Sequence, residues 1–422
     1  DPERFLAWAE GEPWLLGRPG LLWAARLLPL VALGSIVAAA AGAVPASLAA
    51  LVLVVNLIVS RVLGTRIDPR LDEVAAGADE LTAYAGALAV AEEGRFAAPR
   101  LAGLAADLGT DRAAGALPAS RAMARLARRI EIADARHGSF HVFTQALLLW
   151  DVHALWLLER WQAGPGRRAR RWLGALGELE ALAALAALAH DEPEWTFPRI
   201  VEEGAPTLAA RALAHPLLPA GSRVANDVAL GPPGSFLLLT GSNMSGKSTL
   251  LRAIGANVVL AQAGGPVCAA ELALPPVVLG TSVVVEDSLG DGVSFFMAEL
   301  LRLKQVVDLA HAAPAAGRTL LFLLDEVLRG TNNRERREAL RRVIAHLTAS
   351  GAIGAVSTHD LELGDLPEIA AAAVPVHFRE TVHPPGTPGP PMSFDYRLRP
   401  GPATTTNALR LLEMVGLGGG AP

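Results

Sequence analysis

The residues best placed to do chemistry lie between Phe236 and Leu251, which read FLLLTGSNMSGKSTLL. Four apolar residues of buried-strand type run directly into Gly241-Ser242-Asn243-Met244-Ser245-Gly246-Lys247-Ser248-Thr249, and helix-forming residues follow. A Gly-x4-Gly-Lys-Ser turn between strand and helix is a phosphate-binding P-loop in its required setting. Its glycines let successive backbone N–H groups turn inward around phosphate oxygens, and the helix N-terminus adds a partial positive charge. Lys247 then reaches the outer phosphates of a nucleotide, and the Ser248 hydroxyl ligates Mg2+. A chance match in a glycine-containing loop would not explain the strand before it and the helix after it.

A second group stands downstream. Residues Thr319 to Val327 read TLLFLLDEV, a buried-strand run that ends in two carboxylates. In a parallel sheet these fall at the carboxyl end of a strand, where open α/β sheets place their ligands. Asp325 is expected in the Mg2+ shell, and Glu326 is expected to orient or deprotonate an attacking water. The two groups together require an α/β P-loop domain whose parallel strands deliver both loops to one edge.

The flanking residues are more specific than either motif. Ala214-His215-Pro216-Leu217 and Val224-Ala225-Asn226-Asp227-Val228 precede the P-loop, and Leu260-Ala261-Gln262-Ala263-Gly264 and Val267-Cys268-Ala269-Ala270 follow it. Further on stand Gly292-Val293-Ser294-Phe295-Phe296-Met297-Ala298-Glu299, Asp325-Glu326-Val327-Leu328-Arg329-Gly330-Thr331 and Ser357-Thr358-His359-Asp360. In this order the segments resemble those of the MutS family, the ABC-type ATPases best known from DNA mismatch repair, from about His215 to Leu417. The resemblance implies ATP and Mg2+ as cofactors and a homodimer with two composite sites, Ser294 completing the site of the partner subunit. It implies that His359 stands near the γ-phosphate, and that Asn243 orients the loop or contacts phosphate. Asn332 and Asn333 replace the small hydroxyl residue that usually follows Gly330-Thr331, which alters the expected loop contact across the dimer. The family's mismatch recognition uses an N-terminal Phe-x-Glu wedge. No such segment precedes residue 27, so the chain resembles a variant without the mismatch-recognition domain.

The rest of the chain has a different character. Hydrophobic residues make up 51% of the sequence and the mean hydropathy is +0.34, high for a water-soluble ATPase. The excess lies in Leu27 to Val44, LLPLVALGSIVAAAAGAV, and Ala46 to Ser60, ASLAALVLVVNLIVS. Each run approaches the roughly 17–25 residues that cross a bilayer as a helix. No charge occurs between Arg26 and Arg61, and Arg26, Arg61 and Arg66 flank the pair. By the positive-inside tendency both ends face the cytoplasm. A two-helix transmembrane hairpin through 27–62 is therefore expected, placing the ATPase on the cytoplasmic face of a bacterial inner membrane. The alternative is a buried helical hairpin in a soluble, cytoplasmic protein.

From Asp68 to about Ile200 the periodicity is helical. Helices are expected over Leu81–Ala91 and Pro118–Ala135, and Phe140 to Trp161 forms one aromatic-rich segment. Arg167-Arg168-Ala169-Arg170-Arg171 opens a further helix whose arginines could meet phosphates of DNA or lipid. That helix is similar to the family's lever between core and nucleotide domains. The domain reading is 1–20 an N-terminal segment, 21–65 the hairpin, 66–200 an all-α core and lever domain, and 201–422 the ATPase domain. The chain starts at Asp1 without methionine and reads as a piece of a longer protein. The net charge of −5 and isoelectric point near 6.1 give no basic field to mark DNA as a partner. A lone cysteine, Cys268, precludes an internal disulfide and suits a reducing compartment. The leading expectation is a dimeric, membrane-anchored ATPase driving a helical lever; the alternative is a soluble mismatch-repair or recombination protein that binds DNA.

Overall fold

The computed structural model describes residues 2–75, 78–110, 117–134, 136, 141–242, 244–283, 295–328, 333–383 and 392–403. The chain divides into two compact units, Asp1–Ala184 and Leu185–Pro422.

The first unit is helical. Its elements are α1 (Pro2–Glu10), α2 (Pro19–Ala40), α3 (Ala46–Ala75), α4 (Ala78–Glu93), α5 (Pro99–Ala105), α6 (Ala119–Asp134), α7 (His141–Leu148), α8 (Trp150–Ala163) and α9 (Ala169–Asp191), which runs past the unit boundary. α6 shows why such segments fold: Ala122, Met123, Leu126, Ile130 and Ala133 form one buried face at helical spacing, while Arg121, Arg125 and Arg128 point outward. Trp161 anchors the core, its indole stacked 5.8 Å from Trp8 and its Nε1–H donating to the Ala122 carbonyl at 2.7 Å. The buried Glu159 carboxylate accepts from the backbone N–H groups of Trp14 at 2.9 Å and of Leu15 and Leu16 at 2.8 Å, fixing the turn before α2.

α2 and α3 form an antiparallel pair joined at residues 41–45. Gly42 closes α2 with φ +73°, a left-handed conformation suited to glycine. α3 continues unbroken through residue 65 to Ala75. Both helices are long and apolar enough to cross a membrane, and only 11% and 17% of their apolar windows is buried. The stretch Trp150–Asp191 also qualifies by length and hydropathy. It is interrupted at Gly164–Gly166 and carries Arg160, Arg167, Arg168, Arg170 and Arg171, so it lacks the charge-free length of the hairpin.

Within the aromatic-rich segment, Leu149 at φ +50° separates α7 from α8. A left-handed leucine carries no signal in sequence. The arginines at 167–171 do not open a helix as a free basic cluster. Pro165–Arg168 form a 3-10 turn, α9 starts at Ala169, Arg170 pairs with Glu3 and Glu10, Arg171 pairs with Asp107, and Arg168 lies over Trp172.

The second unit holds two sheets. Strands β1 (Arg199–Ile200), β2 (Leu208–Leu213), β3 (Asn226–Leu230) and β5 (Glu271–Leu274) make a small sheet in the order β1-β5-β2-β3. The larger sheet runs β10-β9-β4-β8-β7-β6, with β4 (Phe236–Thr240), β6 (Val277–Ser282), β7 (Thr319–Asp325), β8 (Ile353–Thr358) and β9 (Ala373–Val382) parallel and β10 (Met392–Pro400) antiparallel at the edge. β4 and β8 are buried throughout, as strands with both faces covered must be. α10 (Lys247–Gln262) packs on one core; α11 (Phe295–Ala312), α12 (Asn333–Ala349) and the short α13 (Pro367–Ala370) pack on the other. β8 separates β4 from β7, so the turns leaving these three strands emerge side by side at the carboxyl edge.

Candidate functional site

The turn from β4 to α10 is shaped by backbone that side chains resist. Gly241 has φ +145°, Met244 φ +69° and Gly246 φ +105°. A Cβ on Gly241 would stand 3.0 Å from Ser245 Oγ and 3.3 Å from the Phe378 carbonyl, so only glycine fits that approach. Lys247 opens α10 from inside this turn and is buried. Its Nζ donates to the carbonyls of Gly241 and Ser242, each at 2.8 Å, and lies 3.3 Å from Glu326 Oε1. Ser242 Oγ donates to Glu380, Ser248 is half-buried, and Met244 and Thr249 are exposed. The Ser245 hydroxyl is buried and has no hydrogen-bond partner among the described residues.

The carboxylates arrive from β7. Ser357, at the end of β8, donates from Oγ to Asp325 Oδ1 and accepts from the Glu326 N–H at 3.1 Å. Glu326 sits at φ +44°, a conformation uncommon for a residue with a side chain, which turns its carboxylate toward Lys247. His359 Nδ1 lies 3.8 Å from Glu326 Oε2, completing a line from Lys247 through Glu326 to His359. The loop bearing His359 is held by Asp360, whose carboxylate accepts from Arg337 Nε at 2.5 Å and Arg337 NH2 at 2.8 Å. Arg336 stands 3.5 Å from both Asp360 and the His359 Nε2. Burial pushes the Asp360 carboxyl up, but the hydrogen bonds and charges of Arg337 and Arg336 outweigh it and hold the group below its ordinary value.

Beside the turn opens a cavity of about 550 Å³, lined among others by His215, Val224, Met244, Lys247, Phe378 and Tyr396. His215 is held below its ordinary pKa by burial and by the positive charges of Arg252 and Arg223, so it meets the cavity as a neutral ring. Its Nδ1 accepts from the Leu217 N–H at 3.2 Å. Tyr396 leaves its strand at a bulge with φ +54°, and its ring would be 3.1 Å from a Cβ placed on Gly246. Asn226 fixes that bulge by donating to the Tyr396 carbonyl at 3.0 Å and accepting from the Leu398 N–H at 2.7 Å.

The site thus gathers Gly241, Ser242, Ser245, Gly246, Lys247, Asp325, Glu326 and His359 at one edge of the larger sheet. Asn243, Ser294, Arg329, Gly330, Thr331 and Asn332 lie outside the described residues, as does the Asn333 side chain. Sequence reasoning assigned no role to Ser357, Tyr396, Arg336, Arg337 or the cavity-lining His215. His215, Ser357 and Tyr396 fell within family-like segments; Arg336 and Arg337 did not.

The arrangement suits a hydrated divalent cation held jointly with phosphate. Mg2+ is commonly bound through one or two carboxylates plus substrate phosphates. Among the described residues no group of three or more His, Cys, Asp or Glu forms a closed metal cage. Asp325 Oδ2 accepts no hydrogen bond among the described residues, and the Ser248 hydroxyl is partly accessible at the loop.

Comparison with known proteins agrees with this geometry. Residues 237–419 match the family described as MutS domain V. Over 197 residues the chain is 36% identical to the DNA mismatch repair protein MutS 2 of Halobacterium salinarum, a match covering 46% of this chain and 21% of that relative. The chain therefore spans about a fifth of the length of the curated relative it matches. With the motifs in family order and the loop, the paired carboxylates and the histidine meeting at one sheet edge, residues 237–419 form a domain of the kind described as MutS domain V.

Proposed function

We propose that this protein is a Mg2+-dependent ATPase that works as a homodimer, held at the cytoplasmic face of a membrane by the α2–α3 hairpin. The contact that carries the ATPase reading is Lys247 bridging the loop carbonyls and Glu326, because it joins a phosphate-seeking cation to the carboxylate that would activate water. Ser248 and Asp325 would hold Mg2+, which when bound neutralises charge on the phosphates. The neutral His215, Val224 and Tyr396 offer the adjacent cavity a flat, weakly polar lining suited to adenine. His359 would orient Glu326, and Ser294 of a second chain would complete each site. Closure of two such domains would be relayed through α9 as a lever. This ATPase reading is tested by Mg2+-dependent ATP hydrolysis whose rate per chain rises with protein concentration and is lost in Glu326→Gln. A rate independent of concentration would remove the two-chain site.

Membrane attachment is supported by the hairpin's exposed apolar flanks. Trp23 is 60% exposed and Val37 60% exposed, far from the burial expected of a soluble core. Extraction of cell membranes at high pH should leave the protein in the pellet; release into the supernatant would refute the anchor. A second reading, a soluble protein acting on DNA, is favoured by the likeness to the DNA mismatch repair protein MutS 2 of Halobacterium salinarum. Salt-dependent binding of duplex DNA by protein found in the soluble fraction would establish it.

A further inference from the structure

Where the apolar surface of the hairpin begins, the first unit collects arginines that no ion pair among the described residues neutralises. Arg26 immediately precedes Leu27, and Leu27, Leu30 and Val31 are all more than half exposed, at 54%, 64% and 55%. The Arg26 guanidinium lies 5.6 Å from the ring of Trp23 and 5.3 Å from that of Trp156. Arg160 approaches the same Trp156 ring at 5.0 Å, so two cations share one indole. Behind them Arg129 donates to the Leu157 carbonyl at 2.7 Å. Burial lowers the pKa of Arg129, and the neighbouring Arg160 and Arg125 lower it further.

Elsewhere in this unit arginines find carboxylates: Arg100 with Glu178, Arg170 with Glu3 and Glu10, Arg171 with Asp107. Among the described residues none of Arg26, Arg125, Arg129 or Arg160 forms an ion pair. Clustered like charges are costly unless an anion joins them. Stacking on indole faces orients a guanidinium while leaving N–H groups free to donate.

We propose that Arg26 and Arg160, stacked on Trp156, together with the neighbouring Arg129, bind the phosphate of an anionic phospholipid headgroup at the foot of the hairpin. The inference rests on the membrane reading above and adds the lipid class. Position chooses lipid over nucleic acid. The arginines adjoin a band of exposed aliphatic side chains and an exposed tryptophan, the layering of a bilayer interface. A duplex would leave that band in water.

The test uses the full chain reconstituted in nanodiscs of phosphatidylcholine and phosphatidylglycerol, with one or the other brominated in its acyl chains, reading tryptophan fluorescence. Brominated phosphatidylglycerol should quench more than brominated phosphatidylcholine at equal mole fraction. The double variant R26Q/R160Q, at two exposed positions, should weaken the underlying headgroup affinity by roughly fivefold for each arginine removed. Equal quenching by the two lipids in the parent protein, or an unchanged preference in the variant, overturns the headgroup site and leaves the hairpin intact. Absence of quenching by either lipid removes the hairpin reading and this inference with it. Loss of the preference on adding equimolar duplex DNA would reassign the arginines to nucleic acid and overturn the proposal.

Discussion

Lys247 is held by two loop carbonyls and by Glu326, and this has a measurable consequence for the ATP site proposed above. Its side chain is 3% exposed and that of Glu326 10% exposed, with 3.3 Å between Nζ and Oε1. At an effective dielectric of about 20, unit charges at that separation attract by about 5 kcal/mol. Desolvation cancels most of this, and a net contribution of about 1–2 kcal/mol remains for such a pair. A phosphate that recruits Lys247 must compete with Glu326 for it. Glu326→Gln removes the charge while keeping shape and an acceptor, so ATP should bind roughly five- to thirtyfold more tightly as hydrolysis is lost. Isothermal titration of parent and variant with ATP and Mg2+ reads the change directly. Weaker or unchanged ATP binding in Glu326→Gln would refute the competition between Glu326 and phosphate for the lysine.

Three more outcomes follow from the same structure. Asp360→Asn breaks the clamp with Arg337 and should cost about 2 kcal/mol in urea unfolding, since Asp360 is nearly buried. Because the folded carboxyl is held below its ordinary value, its contribution is complete above about pH 4 and is lost as the pH falls through the lowered value. The parent should therefore lose stability in that window more steeply than the variant, and parallel pH curves would refute the clamp. Asn257 is fully buried, donating to the Ala214 carbonyl at 2.9 Å and accepting from the Cys268 N–H at 2.6 Å. Asn257→Ala leaves both unpaired and should destabilise by about 2–4 kcal/mol, measured by urea unfolding. Gly246→Ala puts a Cβ 3.1 Å from Tyr396 at φ +105°. Strain of about 1–2 kcal/mol should reopen the loop and lower ATP affinity about tenfold in the same titration.

How much of this was legible in the sequence follows from how each part is built. The P-loop and the Asp325-Glu326 pair are contiguous, so their spacing survives in the linear order and names their strand and helix neighbours. The larger sheet follows from buried-strand runs at β4 and β7, whose apolar character has no polar face to confuse it. Tyr396 reaches Gly246 only because β10 pairs with β9 and β9 with β4, two long-range registers that no local pattern encodes. Arg336 and Arg337 read as ordinary exposed charges of α12. Their role appears only when β8 delivers Asp360 to them. The partners of Arg170 and Arg171 were equally hidden, because the carboxylates that absorb them come from α1 and from the turn after α5.

The hairpin offers a different kind of reasoning, from which way its residues face. In water a helix turns polar side chains out and apolar ones in. On α3, Asn56 and Ser60 are buried, and the Asn56 Nδ2 donates to the Ala146 carbonyl of α7 at 3.1 Å. Leu51, Val54, Ile58 and Val62 of the same helix are each more than half exposed. Polar groups within and aliphatic groups without is the distribution that a hydrocarbon solvent rewards, because there the unsatisfied polar group is the costly one. α7 continues the inversion: Gln145 is buried and hydrogen-bonded to Asp151, while Val142 and Phe143 stand exposed. Below this level the pattern reverses. Ile67, Leu71 and Val74 of α3 are buried, and Arg66 and Asp68 are exposed, so one continuous helix presents two opposite rules along its length. The change of rule falls between Val62 and Arg66, in the turns that follow Arg61, and on the membrane reading proposed above the bilayer boundary would lie there.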